Sequence, residues 1–175
     1  MKKIHLTLGL LIFGELANAQ GLPKAWQGIW RGDCHNLRPG SNTDDEARPF
    51  QMELQIGPHS TPNTLTWTMI YTENGTKQRR PYLLKTIDAA KGRFAVDEGQ
   101  GTLLDTFLVG NVLMSHFEFP GSTQLTTRDE LIGDTIVSDI YSYATRDLRK
   151  MGSASNPSIT THQLTSLQRC RLNRN

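Results

Sequence analysis

Residues 50–56, from Phe50 to Ile56, alternate apolar and polar without a break. A period of two puts Phe50, Met52, Leu54 and Ile56 on one face of an extended strand, whereas a helix would scatter them around its circumference. The alternation returns with Leu65, Trp67, Met69 and Tyr71, interleaved with Thr66, Thr68 and Thr72. Further runs of strand character are Tyr82–Ile87, Arg93–Asp97, Thr102–Val109, Val112–Phe119, Thr123–Leu131, Thr135–Ala144 and Thr161–Leu172. With Trp26–Cys34 at the start, these make ten strands. Glu73–Thr76, Gly99–Gly101, Val109–Asn111, Pro120–Gly121 and Ile132–Asp134 separate them with residues that tolerate positive φ. Short strands joined by tight turns in chain order predict an all-β antiparallel meander. Closing such a sheet into a barrel removes its two unpaired edges, so a closed barrel of about ten strands is the expected fold. A two-sheet sandwich is the alternative.

Two stretches interrupt the meander. His35–Arg48 is polar, holds Arg38, Pro39 and Gly40, and reads as a long loop. Thr145–Ser158 reads as a second loop with a short helical turn at Arg146–Met151. Asp44, Asp45 and Glu46 lack the spacing and turn glycine of a calcium site and read as solvated.

The start of the chain points to export. Lys2 and Lys3 precede an apolar run from Leu6 to Phe13, and Ala17 and Ala19 are the small residues of a cleavage site before Gln20. The run is shorter than the roughly 20 apolar residues that span a membrane, so no insertion is expected. Residues 1–19 are therefore read as a removed signal and 20–175 as one domain, periplasmic or secreted. Without Lys2, Lys3 and Glu15, 17 of the 19 basic and 16 of the 17 acidic residues remain, a net charge of +1. Such a chain has no electrostatic attraction to nucleic acid. In an oxidising compartment Cys34 and Cys170 are expected to form a disulfide. Two buried thiols or half a metal site are the alternatives, but no CxxC or CxH spacing supports a metal.

Nothing in the sequence assembles a catalytic pair. Asp97 and Glu98 are adjacent and fall on opposite faces of a strand, as do Ser115 and His116. His116 faces solvent if Phe117 and Phe119 are core, and lines a cavity if the other face is inward. Asp105 shares parity with Leu103, Phe107 and Val109, which places its carboxylate inward, beside an arginine such as Arg80 or Arg93. Such a pair is either a structural salt bridge or a holder for a ligand carboxylate.

Trp30 shares parity with Trp26, Gly28, Gly32 and Cys34, so one face of the first strand combines indoles with glycines. Gly28-x-Trp30 on the first strand of an antiparallel barrel resembles the signature of the calycin superfamily, which includes lipocalins and fatty-acid-binding proteins. The resemblance implies a basic residue of the last strand laid across the tryptophan, a role for Arg169 or Arg171, and brings Cys170 near Cys34 if those strands pair. Ten strands are more similar to fatty-acid-binding proteins than to the eight of lipocalins. Gly28-x-Trp30-x-Gly32 with His162 near the C-terminus also resembles nitrobindin, which implies His162 as the axial ligand of a haem at the open mouth. The chain departs from that pattern at Cys34, where the family has glycine, and in having no second histidine beside His162. Arg80-Pro81-Tyr82-x-Leu84, Asp88, Asp97-Glu98, Leu104-Asp105 and Gly110-Asn111 are similar to a group of bacterial lipocalin-like proteins without an established activity.

The expected function is therefore non-enzymatic: a barrel holding a small apolar ligand, with Trp67, Met69, Tyr71, Phe107 and Phe117 as wall residues. The alternatives are a haem protein through His162 and a filled barrel serving the envelope without a ligand.

Overall fold

The computed structural model describes residues 21–41, 49–146, 148–153 and 156–175. The export signal and the acidic run Asp44–Glu46 lie outside the described residues.

Ten strands form one closed antiparallel barrel. They are β1 (Gly28–Leu37), β2 (Pro49–Pro58), β3 (Thr64–Glu73), β4 (Thr76–Asp88), β5 (Arg93–Gly99), β6 (Thr102–Val109), β7 (Val112–Phe119), β8 (Thr123–Ile132), β9 (Thr135–Ala144) and β12 (Leu164–Arg174). Each strand from β1 to β9 pairs with the next in sequence, and β12 lies between β9 and β1 to close the ring. The expected hairpin turns stand between them. Asn74 and Gly75, both at positive φ, make the two-residue turn between Glu73 and Thr76, as strands of right-handed twist require.

Two readings of the connections are corrected. The polar stretch after Cys34 is not all loop, because His35, Asn36 and Leu37 continue β1 and pair with Arg169, Gln168 and Leu167. Arg149–Met151 are not helical. They belong to a separate two-stranded ribbon of β10 (Arg149–Ser153) and β11 (Asn156–Thr161), in which Met151 faces Ile159. Pro157 and the β-branched run Ile159–Thr161 favour an extended partner, and extended pairing satisfies both backbones. Thr161 consequently ends β11, and the last barrel strand begins at Leu164.

The core fills one end of the barrel. A single 3-10 turn at Lys24–Trp26 folds across that end, and Trp26 and Trp30 are fully buried beneath it. The Trp30 Nε1–H donates to the Trp26 carbonyl at 2.9 Å. Leu54, Ile56, Trp67, Leu84, Phe94, Leu113, Ile136 and Leu172 complete this plug. Gly32 admits the last strand: a Cβ there would lie 1.7 Å from the Arg171 carbonyl oxygen. Two residues on, Cys34 faces Cys170 across the β1–β12 ladder and the two form a disulfide.

Candidate functional site

Above the plug the barrel is hollow. A cavity of about 300 Å³ extends from Leu54, Trp67 and Leu113 toward Arg80 and Phe119 at the opposite end. That end carries the β3–β4, β5–β6 and β7–β8 turns. Alternation decides what it contains, since every second residue of each strand faces in.

The two sides differ in chemistry. Met52 and Leu54 on β2, with Trp67, Met69 and Tyr71 on β3, form an apolar and aromatic wall. Phe50 tilts against Tyr71 at 5.9 Å between ring centroids. Phe117 and Phe119 on β7 meet edge to face at 5.6 Å, with Leu125 and Ile140 beside them. On β6 to β9 the inward residues Thr106, Ser115, Thr127, Asp129 and Ser138 make a polar stripe. Thr106 and Ser115 share a hydrogen bond of 2.7 Å, so this part of the stripe satisfies itself.

Asp129 is the one charge of the stripe, and it is half-buried. It faces Ser138 and Leu113 in the flanking strands and lines the cavity. Burial pushes its carboxyl up to about 6, and the nearby Asp139 adds to the shift. A hydrogen bond with Ser138 and the charge of Arg128 act the other way. Toward the mouth, the Arg80 guanidinium lies over the Tyr71 ring at 4.8 Å and donates to Gln78. Glu98 also faces inward there and contributes to raising Tyr82, whose phenol is pushed up chiefly by burial.

Sequence parity named five wall residues, and four of them are at the cavity. Trp67, Met69, Tyr71 and Phe117 line the cavity. Phe107 does not: it is 43% exposed on the outer face, opposite Arg93 and Met114. Asp105 shares that outward face, so it makes no internal pair with Arg80 or Arg93. The reason lies in β6, where Thr106 is buried while Leu103, Phe107 and Val109 face out, inverting the usual pattern. His116 lies outside as well, hydrogen-bonded to Thr126 and Gln124 on β8. Asp97 and Glu98 do split across the sheet, Asp97 outward to Lys85 at 2.6 Å and Glu98 inward.

The closing arginine is neither Arg169 nor Arg171. Cys170 and Leu172 are fully buried, so the odd-numbered neighbours point outward. Arg169 makes a bidentate pair on the outer surface with Asp139, at 2.8 and 3.0 Å, and Arg171 is exposed. Arg174 has the required parity and pairs with Trp30 in the ladder. Its guanidinium lies 4.1 Å from the Trp30 ring. It also donates to the Gln27 and Ala25 carbonyls at 2.7 and 2.6 Å, and pairs with Asp134. Gly28 leaves room for it, since a Cβ there would stand 2.9 Å from Arg174 Nη1.

His162 lies between β11 and β12, exposed, with Nδ1 donating to the Ala144 carbonyl at 3.3 Å. It does not line the cavity, so the imidazole and the hollow do not form one site for a haem. Among the described residues no cluster of three or more His, Cys, Asp or Glu has the arrangement of a metal site. No helix among them is long and apolar enough to cross a membrane. A scan of protein-family models and a search of curated proteins returned no match to this chain.

Proposed function

We propose that this protein is an exported, calycin-like binding protein that holds a small, largely apolar molecule inside its barrel. The observation that carries the reading is the hollow itself. A barrel of this size can fill itself with side chains, yet here about 300 Å³ remains open above a complete plug. That volume is at the lower end of the roughly 300–1,000 Å³ typical of small-molecule sites, and an apolar wall with a few convergent polar groups is their usual make-up. The Gly28, Trp30 and Arg174 arrangement at the closed end supports the calycin reading, and the Cys34–Cys170 disulfide supports an oxidising compartment. The proposed role is to carry or sequester the molecule, not to transform it. The exposed position of His162 gives no support to a haem-binding role.

Titration with the neutral probe N-phenyl-1-naphthylamine tests the proposal, with organic extracts of the purified protein analysed by mass spectrometry. One saturable equivalent with a fluorescence gain is expected. Met69→Trp, which fills the hollow, should abolish it, and Phe107→Ser on the outer face should leave it unchanged. No saturable binding, together with an empty extract, would sink the reading in favour of a ligand-free structural module.

A further inference from the structure

The cavity charges do not suit a fatty acid. Two carboxylates, Asp129 and Glu98, and one guanidinium, Arg80, face the hollow. Arg80 is occupied at the rim by Tyr71 and Gln78. Asp129 makes no ion pair with any described residue, and its side-chain partner is the Ser138 hydroxyl. The protein treats a neighbouring carboxylate differently. Asp139, one strand over on the outer face, receives two hydrogen bonds from Arg169 and one from Tyr141. A carboxylate removed from bulk water is unfavourable unless a cation or several donors meet it. Asp129 therefore lacks on the protein side what Asp139 has, and the open space lies where a counter-ion would sit.

We propose that the ligand of this cavity carries a protonated amine, which pairs with Asp129 while its apolar body lies against Trp67 and Phe117. This rests on the reading of the barrel as a binding protein and adds its specificity. Thr127, next to Asp129 on the same stripe, offers a hydroxyl acceptor for a remaining ammonium proton. An anionic ligand would place a third negative charge in the hollow, which is how the site would reject fatty acids.

The groups that set the charge of Asp129 come from every side. Ser138 donates from β9, Leu113 and Ser115 flank it on β7, and Arg128 and Asp139 act from the outer face. Tyr71, whose own phenol feels Asp129, and Glu98 stand on other strands around the hollow. As pH falls below about 6 the carboxyl takes up a proton and its hold on an amine weakens.

The test uses three ligands with one apolar body: 4-phenylbutylamine, 4-phenylbutan-1-ol and 4-phenylbutanoate, titrated calorimetrically into the oxidised protein at pH 7.5. The amine is expected to bind about tenfold tighter than the alcohol, the increment of a charge-assisted hydrogen bond, and the acid weakest. Asp129→Asn should bring amine and alcohol within about twofold while alcohol binding persists, which also shows that the variant is folded. Asp105→Asn, on the outer face of β6, should keep the preference. Alcohol or acid binding as tightly as the amine would overturn the proposal, as would an amine preference that survives in Asp129→Asn or disappears in Asp105→Asn. Those outcomes would leave the cavity-binding reading standing. Failure of all three ligands and of the neutral probe would overturn both.

Discussion

Arg174→Ala tests what holds the closed end together. Four interactions are lost. The guanidinium over Trp30 is a partly desolvated cation–π contact worth about 1 kcal/mol. Two hydrogen bonds from a charged donor, to the Ala25 and Gln27 carbonyls, are worth about 1 kcal/mol each once water can replace the lost donor. The pair with Asp134 adds only a few tenths of a kcal/mol, because that carboxylate is 84% exposed. The expected loss is about 3 kcal/mol, or roughly 1–2 M in the urea midpoint for an m-value near 2 kcal/mol/M. Equilibrium unfolding followed by tryptophan fluorescence suits the question, since all three tryptophans, Trp26, Trp30 and Trp67, lie in the plug. Trp30 should also shift to the red in the folded variant as water reaches its ring. Arg174→Lys keeps the charge but not the fork, and should lose about half as much. Arg171→Ala, on the exposed face of the same strand, is the control and should stay within about 0.5 kcal/mol. An Arg174→Ala loss no larger than that of Arg171→Ala would refute the assignment of the seal.

Three other outcomes follow from the same geometry. Reduction of the Cys34–Cys170 bridge, which spans 136 residues, should lower stability by about 5 kcal/mol on the chain-entropy account, measured by urea unfolding of oxidised protein against protein refolded in reductant; a difference under about 1 kcal/mol would count against it. Gly32→Ala should cost more than about 3 kcal/mol or prevent folding, because the new Cβ meets backbone and not a movable side chain; near-wild-type thermal unfolding would show that β1 and β12 can separate at that point. Asp129 should make unliganded stability fall as pH rises. Its folded carboxyl lies at about 6, above the unfolded value near 4, so the penalty is absent below pH 4, grows between pH 4 and 6 and reaches about 3 kcal/mol above that. Asp129→Asn should flatten this slope in urea midpoints measured across that window, and an unchanged slope would assign it to other groups.

The meander was legible because its hairpins carry a turn residue between two strand-like runs, several of which alternate. The site was legible only where apolar residues face inward. On β3 they do, and Trp67, Met69 and Tyr71 were placed by parity alone. On β6 the outer face is the more apolar one, so parity put Phe107 and Asp105 on the wrong side. Asp129 has only a weak mark, because 123–132 shows little alternation; Leu125 and Leu131 share its parity and are the available signal. Arg174 was also within reach, since an inward Cys170 makes residue 174 inward too. Neither the hollow nor the paired ribbon at 149–161 has a comparable sequence mark, because both depend on how distant strands meet.

The disulfide bears on how the ring is made. Every seam but one joins strands that follow one another around the sheet, and β1–β12 alone brings together the two ends of the meander. Cys34 cannot find Cys170 in register until that last seam zips, so oxidation within one molecule records that the circle has closed. The chain has no third cysteine, and no wrong bridge can form inside it. Before closure the sheet has two free edges, each with a thiol at matching height. Two such open sheets meeting edge to edge would align the same sulfurs between molecules, and the bond that secures the monomer would then secure an exchanged dimer.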